Sequence, residues 1–367
     1  MNIKRAIAVS VTLATLAACA KGGIGLNRNP VRIFKPKPVQ QVVVAETPAV
    51  KPVPATTVAA APKKTVEEVV VAALKLGKPK TKKPRKRLTD LIVPSRHVAA
   101  VGACHELDMS AMPQRAADAL AGSEVVHRSM TLSGTERDHF VAGQLLSGNL
   151  PPFLRTLTPV TFKGRAKNGD AVSVTICVMP DYLAVGDDSD FVRVPMGLPA
   201  AAEVANGMGF ILPTTKMVDA IYSQAGLQLK PSPMQPGSQM SSTDYLWQHN
   251  QTVESQRIAS DGDSELLVAG QKKDLVLSNV LRAAPGRVAI YGWHRPGGAP
   301  IQPLSTVHGE TYADYSHGIR LVSTTAFVNG EPTALATVLE DPQMASLVSK
   351  EGPISHPLRL MAAISVE

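Results

Sequence analysis

Between Tyr291 and Arg320 the chain places more reactive side chains than any other stretch of its 367 residues. Tyr291-Gly292-Trp293-His294-Arg295-Pro296 is followed by His308-Gly309-Glu310-Thr311-Tyr312-Ala313-Asp314-Tyr315-Ser316-His317-Gly318. Three of the nine histidines thus fall within 24 residues. His294, His308, Asp314 and His317 could together bind zinc, whose open position polarises a carbonyl and lowers the pKa of a bound water. Zinc is the one cofactor this set suggests. Alternatively, the same histidines and Asp314 could orient and deprotonate a hydroxyl such as Ser316. Both readings make His294, His308, Asp314 and His317 the candidate catalytic residues, and zinc chemistry would make them metal ligands as well. A third reading is structural, with the rings packing against tyrosines and satisfying buried backbone groups.

Zinc D,D-carboxypeptidases space the first histidine and the aspartate by six residues and carry a Trp-His element after the aspartate. Here five residues separate His308 from Asp314, and Trp293-His294 comes first. The nearer resemblance is to exported bacterial proteins with a similar Tyr-Gly-Trp-His and Asp-Tyr-Ser-His-Gly block. It covers most of residues 150–325 and implies no activity. Elsewhere, Gln271-Lys272-Lys273-Asp274 reads as an exposed charged turn before a strand, or as a holder of an anionic group. Asp187-Asp188-Ser189-Asp190 reads as a solvated acidic hairpin, since it lacks the later Glu and glycine of a calcium loop. The chain contains no Walker loop, no HExxH and no GxSxG elbow.

These side chains need a scaffold, and residues 91–367 have the composition of one. Periodicity predicts helices at 113–121, 135–147, 199–208, 214–225 and 240–258, with Thr214 or Thr215 as a cap. A closing helix over 332–349 should break near Pro342. Strands are predicted at 158–163, 171–179, 191–194, 274–280, 286–292 and 318–328, with Asn329-Gly330 as a turn. Strands and helices intermix without a βαβ beat. The expected fold is therefore a single α+β domain with a mainly antiparallel sheet. Cys104 and Cys177 are the only cysteines of this part and could form a disulfide, the alternative being a buried free thiol at Cys177.

What precedes the domain is an address and a spacer. Lys4 and Arg5 open residues 1–18, and Ala6–Ala18 is an uncharged run of 13 residues, the length of a signal h-region and too short to cross a bilayer. Leu16-Ala17-Ala18-Cys19 resembles the lipobox of bacterial lipoproteins, which implies cleavage before Cys19 and its attachment to lipid. Several acyl chains on one residue would hold the protein on a membrane. Ala20 after the cysteine leans toward the periplasmic face of the outer membrane. Residues 19–90 read as a disordered tether, with nine prolines among residues 20–90 and only one capping box, Thr65 with Glu68, before a short apolar run.

Charge divides the same way. Residues 20–90 hold 16 Lys/Arg against 4 Asp/Glu, a net of +12, and the signal adds +2. With the chain at +8, residues 91–367 carry −6, so the basic character belongs to the tether and nucleic acid is not the expected partner. A membrane reached through the lipid, and anionic wall or outer-membrane polymers facing Lys80–Arg87, are the expected partners. Two functions fit: an envelope hydrolase acting on peptidoglycan or its peptides through the 294–317 cluster, or a non-catalytic module that binds the wall or an outer-membrane partner.

Overall fold

Two β-branched, apolar runs make the centre of the fold. Strand β2 (Ala171–Val178) pairs with β1 (Thr158–Arg165) on one side and β12 (Val322–Val328) on the other. Beyond β12 lies β13 (Glu331–Ala334), and β5 (Phe210–Ile211) adds to the same strand, giving a five-stranded, wholly antiparallel sheet. Asn329 and Gly330 join β12 to β13 with φ of 53° and 98°, the left-handed pair that a tight hairpin turn requires. A second sheet has the order β10 (Pro300–Ser305), β9 (Ile290–His294), β8 (Lys273–Leu275), β11 (His317–Gly318). It is antiparallel apart from the β8–β11 pair. The remaining strands form two small pairs, β3 (Ala184–Gly186) with β4 (Phe191–Arg193) and β6 (Leu227–Gln228) with β7 (Val268–Ala269). The protein is an α+β domain with mainly antiparallel sheets.

This computed structural model describes residues 102–107, 112–132, 134–260 and 266–365, all within one unit, Pro84–Glu367. The expected signal segment, Cys19 and the expected tether over 19–90 lie outside the described residues. Among the described residues no helix is long and apolar enough to cross a membrane.

The main helices are α1 (Gly122–Ser129), α2 (Gly134–Leu146), α3 (Leu198–Met208), α4 (Thr215–Gln224), α5 (Thr243–Ala259), α6 (Val280–Ala283), α7 (Leu335–Glu340), α8 (Ala345–Val348) and α9 (Pro357–Ser365). Helix α3 packs between α2 and α9, while α4 lies against β1 and β9. The Thr214 side chain accepts from the Met217 N–H, which starts α4 where the sequence places it. One apolar core includes Ile176, Val178, Leu183, Val204, Ile211, Leu321 and Val322. The sulfurs of Cys104 and Cys177 are bonded, with Cα atoms 5.5 Å apart. Closing a loop across a separation of 73 residues stabilises the fold by about 4 kcal/mol in the chain-entropy account.

Three local expectations fail for tertiary reasons. Residues 113–121 are not helical, because Arg115 donates to the carbonyls of Ala119 and Leu120 that helix propagation would need, and to Gly186 O. The helix starts instead at Gly122, where the Asp190 carboxylate accepts from the Ser123 N–H and hydroxyl. Residues 187–190 form the turn of the β3–β4 hairpin with Asp188 and Ser189 exposed, the solvated acidic hairpin expected, and the three aspartates also serve as caps and turn acceptors. The expected strand 274–280 stops at Leu275. Glu351 accepts from the Ser278 hydroxyl and the Asn279 N–H, and α6 follows. Finally, Gln271, Lys272 and Asp274 are buried, not an exposed turn. Each has a buried partner: Asp181 for Gln271, Tyr315 O for Lys272 and the Tyr182 hydroxyl for Asp274. The 332–349 helix does break around Pro342, but its first residues extend the sheet as β13.

Candidate functional site

The four candidate residues fall into two groups, one on each side of β8. His308, Asp314 and His317 come together, and His294 stands apart from them with partners of its own.

His317 sits on β11, in register with Lys273 of β8, and is fully buried. Its Nε2 lies 4.0 Å from Asp314 Oδ2, and neither ring nitrogen has a hydrogen-bond partner among the described residues. Burial first, and then the Lys273, His308 and Lys272 charges, pull its pKa down to about 4 against the upward pull of Asp314. Asp314 is committed elsewhere. Its Oδ1 accepts from the Ser316 N–H at 2.8 Å and the Ser316 hydroxyl at 2.6 Å, and its Oδ2 from the Tyr312 hydroxyl at 3.2 Å. Burial alone would raise the Asp314 pKa, but His317 and these hydrogen bonds hold it below the usual carboxylate range. The half-buried His308 ring stacks on Tyr312 at 4.2 Å, with its centroid 6.1 Å from that of His317. Ser316 therefore bonds directly to the aspartate rather than to a histidine, and a Ser–His–Asp relay is not assembled here.

His294 ends β9 beside an unusual stretch of backbone. Gly292 has φ of 110° and Trp293, the residue before the histidine, has φ of 57°. A tryptophan held in the left-handed region stores strain of order 1–3 kcal/mol, the kind of cost that concentrates at functional sites. The strain turns His294 toward α4. Its Nε2 lies 2.9 Å from Asp219 Oδ1, and its ring stacks on Tyr222 at 4.6 Å. Tyr222 is anchored by donating to Arg295 O at 2.9 Å. Asp219 also accepts from the Tyr291 hydroxyl at 2.8 Å and pairs with Lys350, whose Nζ reaches the Tyr291 hydroxyl at 3.0 Å. Partial burial pushes the Asp219 carboxyl up, but the bonds from His294, Lys350 and Tyr291 outweigh it and hold the group ionised. The Asp219 side chain remains 33% exposed and Lys350 48%, so these two reach solvent, while the His294 side chain is buried beneath them at 2%.

Behind the dyad, Asp274 accepts from the Tyr182 hydroxyl at 2.8 Å, and the Arg320 guanidinium covers the Tyr182 ring at 4.3 Å. Complete burial raises the Asp274 pKa to about 6, with Arg320, the Tyr182 bond and His294 pulling it back. Lys272 is also fully buried. Its Nζ donates to Tyr315 O at 2.6 Å and faces His249 Nδ1 at 3.1 Å. Burial and then Arg193 lower its pKa to about 7.

Among the described residues no group of three or more His, Cys, Asp or Glu side chains is placed to hold a metal ion. His294, His308, Asp314 and His317 do not share a centre, so their arrangement does not fit a common zinc ion. Sequence reasoning missed Asp219, Tyr222 and Lys350. Asp219 looks like an ordinary helix-surface acid, and only the packing of α4 on β9 brings it to His294, 75 residues away. No family model, curated protein or solved structure matches this chain.

Proposed function

We propose that the protein is a lipid-anchored envelope hydrolase acting on peptidoglycan peptides, with its centre at the Asp219–His294 dyad. The observation that carries this reading is the 2.9 Å bond between His294 Nε2 and Asp219 Oδ1 beside the strained Trp293. An ionised aspartate on Nε2 holds the proton there and leaves Nδ1 as the basic nitrogen. His294 then takes a proton from water as its oxygen attacks a peptide carbonyl, and returns that proton to the departing amine. The breaking C–N bond gives a carboxylate and a free amine. Lys350, half-exposed beside the dyad, supplies positive charge for the oxyanion or a substrate carboxylate. The lipobox at Cys19, the basic tether and the −6 domain suit a protein held on the periplasmic face of the outer membrane near an immobile anionic polymer.

Purified protein incubated with isolated sacculi tests this by mass spectrometry of the soluble fraction. Release of peptides by wild type, lost in an Asp219→Asn protein of unchanged melting temperature and in the folded fraction of His294→Gln, is the expected result. Sacculi that retain the wild-type protein without being cleaved would overturn the hydrolase and leave the wall-binding module.

A further inference from the structure

A cleft of about 300 Å³ opens on the other side of the Glu310 loop, at the lower end of the size range of small-ligand sites. Its floor is apolar: Leu198 at the start of α3, Leu281 in α6, and Leu360 and Ile364 in α9. Three charged side chains line it, Arg282, Arg287 and Glu310.

Each is held in place by bonds that leave its charge available. Arg282 donates one nitrogen to Ser355 O, and Arg287 Nη1 donates to Val307 O at 2.8 Å. A guanidinium has five N–H donors, so each keeps an edge for a ligand carboxylate, which it can bind in bidentate fashion. The Glu310 backbone is clamped on both sides: its N–H donates to Gly286 O at 3.0 Å and its carbonyl accepts from the Leu198 N–H at 2.6 Å. No ion pair within 4.0 Å joins Glu310 to either arginine among the described residues. Opposite charges that face one cleft without pairing are the complement of a ligand carrying both signs. The leucine floor requires that ligand to be apolar between them.

We propose that this cleft binds a dipeptide-sized zwitterion with apolar side chains, its carboxylate on Arg282 and Arg287 and its ammonium on Glu310. The site is separate from the Asp219–His294 dyad and does not depend on the hydrolase reading. An anionic amphiphile would use the arginines and the floor but would have no use for Glu310, and this separates the two ligand classes.

Calorimetric titration of the full-length protein with leucyl-leucine, its N-acetyl derivative and its C-terminal amide tests the assignment. The free dipeptide should bind at one site, with either blocked form weaker by about 10-fold or more, the value of one charge-assisted contact. Glu310→Gln should weaken the free dipeptide by about 10-fold and leave the N-acetyl form unchanged. Arg287→Ala should weaken both carboxylate-bearing forms. It is the arginine variant of choice because Arg282 also ties down the 355–356 segment. His294→Ala should bind as wild type does, so loss of hydrolysis and loss of this site are told apart. Equal binding of free and acetylated dipeptide, an unaffected Glu310→Gln protein, or no binding at about 10 mM ligand would each overturn the proposal.

Discussion

His294 and His317 flank the same short strand, β8, and each has an aspartate beside it, yet the two pairs differ in what proton chemistry needs. His294, itself buried like His317, donates along a 2.9 Å bond to an aspartate that reaches solvent. His317 stands 4.0 Å from an aspartate whose oxygens are taken by Ser316 and Tyr312, and burial keeps its ring neutral until the pH falls to about 4. The difference teaches that a histidine–aspartate pair close in sequence is not thereby a catalytic pair. Asp314 and His317 are three residues apart, and the turn that joins them sends the carboxylate back to its own backbone at Ser316. Asp219 and His294 come from different elements, a helix and a strand end, so each side chain can face the other without satisfying its own chain first.

The comparison can be broken most directly at Asp219. Asp219→Asn keeps the shape but loses the charge that fixes the imidazole tautomer, and should lower hydrolysis by about 10²–10⁴-fold. With the side chain 33% exposed, stability should change by no more than about 1 kcal/mol. Rates on soluble muropeptides and a denaturant titration read the two quantities. If both collapse together, the dyad is structural and the contrast with His317 disappears.

The counterpart change, His317→Ala, should do the reverse. Emptying a fully buried site should cost about 2–4 kcal/mol, while the folded fraction keeps its activity. An active-site role for His317 would appear instead as lost turnover at unchanged stability.

The two regions also differ in their response to pH. A histidine whose folded pKa is depressed from 6.5 to about 4 contributes stability that is present above 6.5 and lost as the pH falls through 4. Acid should therefore destabilise the wild type across that window, and His317→Gln should flatten the slope. Lys272, depressed from 10.5 to about 7, acts in the same sense at higher pH. Its stabilising contribution is complete above 10.5 and is lost as the pH falls through 7, so Lys272→Met should remove a gain in melting temperature between neutral and alkaline pH. Melting curves at stepped pH report both slopes, and a Lys272→Met protein with the wild-type alkaline slope would contradict the buried amine.

The smallest effect belongs to His308. Half-buried and stacked on Tyr312, it should cost about 0.5–1.5 kcal/mol when replaced by alanine. A loss as large as that of His317→Ala would mean that the 308–317 segment unfolds as one unit, which hydrogen exchange across that loop would reveal.

The amino-acid sequence by itself determined those features whose causes are local. Thr214 caps α4 because its hydroxyl reaches an N–H three residues on, and Asn329-Gly330 turns the β12–β13 hairpin because both residues accept positive φ. The alternating and apolar runs of β1, β2 and β12 likewise declared an antiparallel sheet from their own side chains. The 291–318 stretch was legible as the densest reactive segment, and three of its four candidates do meet in space. Tertiary structure alone decided which of them acquired a partner suited to proton transfer. Arg115 reaches carbonyls that an alanine-rich helix would otherwise claim, and Asp219 meets His294 only because α4 packs across β9. Burial decided the rest: it drew Lys272 and His317 away from solvent, where a charged form is costly, and left Asp219 and Lys350 at the edge, where charge persists.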